Sequence, residues 1–147
     1  MMLTHENVLE LVKELKADAT LTAMLGSNKP YYLPTGVLSK ANSIVPMEFI
    51  EELKTMPAIG IKAGVMAKVS VNLYDAIILI RCYNNMDKAY VDINKVLSKV
   101  ENMVQGKLFT LTGMVNIATE LETIGEELVD DAYQLRFREL SVRLQLI

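Results

Sequence analysis

The sequence contains no tryptophan, one histidine, one cysteine and only 6% aromatic residues. With Cys82 alone, an internal disulfide and a multi-cysteine metal site are excluded. With His5 alone, a Ser-His-Asp triad, a Cys-His pair or a multi-histidine centre would have to be built on one imidazole near the N-terminus, which disfavours all three. A net charge of -3 and a pI near 5.2 supply no basic excess of the kind a nucleic-acid-binding face displays. Long apolar runs are missing too: Ala76 to Ile80 lies between Asp75 and Arg81, far short of the roughly 20 residues a membrane-spanning helix needs. The opening Met1-Met2-Leu3-Thr4-His5-Glu6-Asn7 lacks a basic stretch and an apolar core, so no signal peptide is visible and intracellular synthesis is expected.

What is present is aliphatic. The 147 residues are 51% hydrophobic with 9 Met against 3 Phe, which suits one domain, residues 1–147, with adaptable packing surfaces. Apolar residues at Val8, Leu11, Val12 and Leu15, then Leu21, Met24 and Leu25, predict a helix over His5 to Leu25 with a weak point at Asp18-Ala19-Thr20. Thr4 suits its cap, Glu6 its first turn, and Gly26-Ser27-Asn28 its end. All four prolines, Pro30, Pro34, Pro46 and Pro57, fall between Lys29 and Gly64. That stretch is expected to be an irregular connection with one helix over Pro46 to Met56. Gly60-Ile61-Lys62-Ala63-Gly64 matches neither phosphate-loop spacing and is expected to be a flexible loop.

From Ala67 to Tyr83 the alternation of Val69, Val71 and Leu73 with Lys68, Ser70 and Asn72 predicts two strands turning near Tyr74-Asp75. Ile77 to Ile80 is expected to be buried on both faces. Asp87 or Asn85 is expected to cap a helix with the stripe Tyr90, Ile93, Val96, Leu97, Val100, Met103 and Val104, ending near Gly106. Val115, Ile117, Thr119 and Leu121 then mark one face of a strand, opposite Met114, Asn116, Ala118 and Glu120. In the closing strand, Tyr133, Leu135 and Phe137 share a face that Leu140, Val142, Leu144 and Leu146 continue after a bulge near Arg138-Glu139, with Arg136, Arg138 and Arg143 on the polar face. The expected fold class is α+β: a single mostly antiparallel sheet with long helices packed on one face, an N-terminal helix and a long C-terminal strand.

Candidate chemistry is sparse. Glu120, Glu122, Glu126, Glu127, Asp130 and Asp131 form an acidic run without a basic residue, which in principle offers oxygen ligands to a divalent cation or paired carboxylates for acid-base work. The spacing matches no EF-hand loop, and Gly125 marks the run as the connection between two strands, so a solvated hairpin end is the preferred reading. Arg136, Arg138 and Arg143 are the clustered cations, suited to phosphate, to a partner's carboxylates, or to the acidic hairpin itself. Cys82 is expected to be buried and His5 exposed. No catalytic, cofactor-binding or metal residue is assigned, and no cofactor is expected. The apolar stretches Ile77, Ile78, Leu79, Ile80 and Leu140, Val142, Leu144, Leu146 exceed what one covered sheet face needs. They are therefore the expected oligomer interface, through strand pairing between copies.

The order of elements resembles the tail terminator proteins of long-tailed bacteriophages and of phage-tail-like bacteriocins, also called tail completion or head-tail joining proteins. The resemblance runs along nearly the whole chain: the helix ending in "ATLTAMLGSNKPYY", a Pro-containing loop, "VSVNLYDAIILIRCYNN", "DKAYVDINKVLSKVENMV" and the closing "DDAYQLRFRELSVRLQLI". It implies a structural, non-enzymatic subunit that forms a hexameric ring, caps the tail tube, ends its growth and presents a joining surface to the head. The implied partners are further copies of the chain, the tail tube protein, a connector or neck protein and, in contractile tails, the sheath. DNA would pass through the lumen without being read, and no membrane is involved. The implied location is the virion tail or neck, assembled in the host bacterial cytoplasm. The Lys29 to Gly64 segment is the expected contact with tube or connector. The alternatives are another neck or head-completion protein, a small carboxylate- or metal-dependent enzyme, and an adaptor using its Met-rich helix faces.

Overall fold

The computed structural model describes residues 3–26, 44–52, 56–86 and 90–147. The first helical stretch is broken where the sequence is weak, giving α1 (His5–Lys16) and α2 (Ala19–Ala23). Thr4 caps α1 reciprocally with Asn7: the Asn7 N–H donates to Thr4 Oγ1 at 3.2 Å and the Thr4 N–H donates to Asn7 Oδ1 at 3.1 Å. Asp18 breaks and restarts the helix, because its Oδ1 accepts the Leu21 N–H at 2.8 Å as the cap of α2.

Past α2, Ser27 to Ser43 lie outside the described residues, and the chain is next described in β1 (Ile44–Pro46), a 3-10 helix (Met47–Glu52) and β2 (Ala58–Ser70). Within the described part of the expected irregular connection, residues 44–46 and 58–64 are therefore strand. Pro46 ends β1 rather than opening a helix, and the helix after it is the tighter 3-10 form. Gly60-Ile61-Lys62-Ala63-Gly64 is no loop. It is strand, and its glycines permit close approach: a Cβ at Gly64 would sit 2.9 Å from the Ile77 carbonyl oxygen, and one at Gly60 would press on Ile50 and Tyr83 at 3.1 Å.

The remaining elements are β3 (Leu73–Asn85), α3 (Tyr90–Val104), β4 (Thr110–Leu111), β5 (Met114–Ile124), β6 (Leu128–Asp130) and β7 (Leu135–Leu146). The β2–β3 turn falls at Val71-Asn72, three residues before the expected Tyr74-Asp75. Asn85 ends β3 rather than capping α3, and Asp87 lies outside the described residues. As expected, α3 ends before Gly106, whose φ of +74° is cheap only for glycine.

The fold is α+β with one curled, mixed sheet in the order β1-β2-β3-β7-β5-β4, and β6 pairs with β7. β1 runs parallel to β2, while the β2–β3, β3–β7, β5–β7, β6–β7 and β4–β5 ladders are antiparallel. The helices are shorter than expected, at 12, 5 and 15 residues. They pack on one face. Leu11, Leu15, Leu21, Ile93, Val96 and Val100 close over Ile59, Ile61, Ile78, Ile80, Leu140, Val142, Leu144 and Leu146. The other face carries a small second core under the 3-10 helix, formed by Val45, Ile50, Ala58, Tyr83, Leu135 and Phe137.

That second core corrects the reading of the C-terminal strand. β7 pairs with β3 residue for residue from Leu135 to Leu146 with no bulge. Strict alternation then puts Leu135 and Phe137 on one face and Leu140 through Leu146 on the other. The apolar phase shift marks a change of covering layer, from 3-10 helix to α-helices. The irregularity lies in the neighbouring strand, where Gly125 to Glu127 interrupt β5 and β6 as both run along β7. Gly125 is therefore inside a nearly continuous strand, held by its N–H to the Glu139 carbonyl at 2.8 Å, and the hairpin turn comes later, at 131–134.

Candidate assembly surfaces

The residues expected to join copies divide sharply. Ile78, Ile80, Leu140, Val142, Leu144 and Leu146 are each no more than 1% exposed and lie in the core beneath the helices. The chain itself covers them, so they are removed from the candidate surface. Ile77 and Leu79 point to the opposite face and are half-buried. β3 and β7 are moreover central strands, with both edges occupied by strands of the same sheet.

The clustered arginines also separate. Arg138 points to the helix face, where its Nε donates to the Gly125 carbonyl at 3.0 Å and its Nη1 to Asn94 Oδ1 of α3 at 2.7 Å. It is a clamp between the β5–β6 bulge and a helix. Arg136 lies 3.6 Å from Glu127. Arg143 occupies the outer face among three carboxylates: it donates to Glu120, and lies 3.1 Å from Glu122 and 4.0 Å from Asp75. The Glu120 hydrogen bond and the Glu122 charge raise its pKa. Arg143 is thus one cation among three carboxylates, one strand away from Glu120 and Glu122, and the cluster keeps a net negative charge. Asp130 serves the turn, its Oδ1 accepting the Ala132 N–H at 3.1 Å. Glu126 and Asp131 are exposed on the β5–β6 bulge and the turn. Among the described residues no group of three or more His, Cys, Asp and Glu is arranged to hold a metal.

An open cleft of about 440 Å³ lies where β1 stops covering β2, lined by Leu3, Val8, Met47 and Ile61 with His5, Glu48 and Lys62 also on its wall. His5 Nδ1 is 3.4 Å from a Glu48 oxygen across it. None of the acidic-run residues lines this cleft. Cys82 is buried as expected, and burial pushes its thiol pKa up to about 12, which keeps it protonated and unreactive.

The exposed apolar surface lies at the sheet edges instead. Pro46 is the last β1 residue beside β2, opposite Ile61. From Lys62 to Ser70 no strand lies along the outer edge of β2 among the described residues. Val65 is 75% exposed and Val69 55%. At the other side of the sheet, β4 covers the start of β5, while the Gly106 N–H reaches the Thr119 carbonyl and Gln105 Oε1 accepts the Leu121 N–H. Beyond Leu121 the edge is free among the described residues, through Glu122 to Asp130. Ile124, Leu128 and Val129 are exposed there. An uncovered edge with β-branched side chains is a template for another strand. Alternation is legible in the residues but strand order is not, and only strand order distinguishes an edge from a centre.

These features define an α+β fold with one curled sheet, helices on one face and, among the described residues, two partly open edges. No family model and no curated protein matches the chain. Among solved structures, a chain from the virion of a native gene transfer agent particle has the same fold. The TM-score is 0.59 at 12% identity, covering 97% of this chain and 98% of that one.

Proposed function

We propose that the chain is a structural protein of a phage-like virion that assembles with copies of itself into a ring, caps the tail tube and joins tail to head. The observation that carries this reading is the end-to-end fold likeness to a chain of a gene transfer agent virion, which leaves almost no part of either chain unmatched. The edges at Lys62–Ser70 and Glu122–Asp130, uncovered among the described residues, support it, because they offer backbone groups and exposed aliphatic side chains to neighbouring copies. Partners would be the tail tube on one side of the ring and a connector or neck protein on the other.

The test has two parts. Native mass measurement at rising protein concentration should give a closed oligomer of one size, and tails assembled without the protein should have tubes of uncontrolled length. A chain that stays monomeric at high concentration, both alone and with tail tubes, overturns the ring. Tubes of normal length that fail to join heads would replace the capping role with a neck role.

A further inference from the structure

The two uncovered edges are not alike. Along β2, residues 62–70 carry Lys62 and Lys68 and no acidic residue. Along the β5–β6 edge, residues 122–130 carry Glu122, Glu126, Glu127 and Asp130 and no basic residue. Arg143 and Arg136 approach Glu122 and Glu127 from β7, leaving Glu126 exposed on the edge. Both stretches are nine residues long, a length that spans about 30 Å when extended. Both carry exposed aliphatic side chains, Val65 and Val69 against Ile124, Leu128 and Val129. They lie on opposite sides of one sheet, so neither reaches the other within a chain.

We propose that the basic β2 edge of one copy takes the acidic Glu122–Asp130 edge of the next, so that copies join head to tail through one repeated joint. This rests on the self-assembly reading above and specifies its surface. Like-with-like joints would set Lys62 and Lys68 against themselves, or Glu122 and Glu126 against themselves, and are repelled. Opposite edges attract and leave the growing assembly with one edge of each kind free at its two ends, so addition continues until the ring closes. Within each sheet β5 runs antiparallel to β2, because three antiparallel ladders separate them, and a joint that keeps the sheet's sense continues that alternation.

The experiment uses two full-length variants, Lys62→Glu with Lys68→Glu, and Glu122→Lys with Glu126→Lys. Each alone gives copies with two edges of one sign, and each is expected to stay monomeric where the unaltered chain assembles. Mixed in equal amounts, they should form an assembly of the original size with the variants in 1:1 ratio, and salt should weaken it. Assembly of either variant alone, or a mixture that stops at dimers, overturns the head-to-tail joint while leaving self-assembly standing. If the unaltered chain itself stays monomeric, both alone and with tail tubes, the ring reading falls and the joint falls with it. Circular dichroism of each variant separates a lost joint from a lost fold.

Discussion

At the scale of single residues, the least conspicuous polar side chain holds the most. Asn116 is 5% exposed, and its Oδ1 accepts the Phe109 N–H at 2.8 Å and the Thr119 hydroxyl at 3.0 Å, while its Nδ2 donates to the Ala118 and Gln145 carbonyls. It links the α3–β4 connection, β5 and β7 at one point. Alternation predicts Asn116 on the polar face with Val115 and Ile117 inside. The opposite is found, because a register shift between Asn116 and Ala118 turns Asn116 inward and exposes both aliphatics. A bulge stabilised by a buried amide leaves no periodic trace, so this position was hidden in the sequence. Replacing Asn116 with Ala strands a buried N–H and two carbonyls, and should lower stability by about 2–3 kcal/mol in urea denaturation. Val115→Ser, at the exposed position immediately before it, should change stability by less than about 0.5 kcal/mol.

At the scale of elements, caps and stripes were legible and ties between elements were not. Thr4, the stripe Val8-Leu11-Val12-Leu15, the run Ile93 to Val104 and the stop at Gly106 are local, and the structure places them as the sequence predicts. What fastens α1 to the far end of the sheet is a long-range contact that no spacing announces. Glu10 accepts the Thr112 N–H at 3.0 Å and the Thr112 hydroxyl at 3.1 Å, 102 residues away, beside Gly113, whose φ of +82° makes the β4–β5 turn. Desolvation pushes the Glu10 pKa up, but the hydrogen bonds from Thr112 and Asn7 with the charge of Lys13 bring it below its ordinary 4.5. A carboxylate whose folded pKa is depressed contributes its stability above the unfolded value and loses it as pH falls through the folded one. Glu10→Gln should therefore cost stability at pH 7, by less than about 1 kcal/mol since the group is well solvated. The gap between variant and unaltered chain should close below about pH 4.5; thermal unfolding across pH 3 to 8 reads it, and a gap independent of pH would refute the tie as electrostatic.

At the scale of the whole molecule, the aliphatic surplus divides into two populations with different duties. Ile78, Ile80 and Leu140 to Leu146 close the monomer's own core, whereas Val65, Val69, Ile124, Leu128 and Val129 stand on the edges. Composition counts both alike, and only the strand order tells them apart. Substitution on an edge should therefore separate assembly from folding. Val65 is 75% exposed, so Val65→Asp removes little buried area and should shift monomer stability by no more than about 0.5 kcal/mol. The same change puts a carboxylate on the edge proposed to meet acidic residues, and should abolish the oligomer. Leu108 is 57% exposed in the α3–β4 connection, away from both uncovered edges, and Leu108→Asp serves as the control that keeps the oligomer. Sedimentation velocity and thermal melts on the two variants read both quantities together. A Val65→Asp chain that melts normally and assembles normally would show that the β2 edge joins nothing.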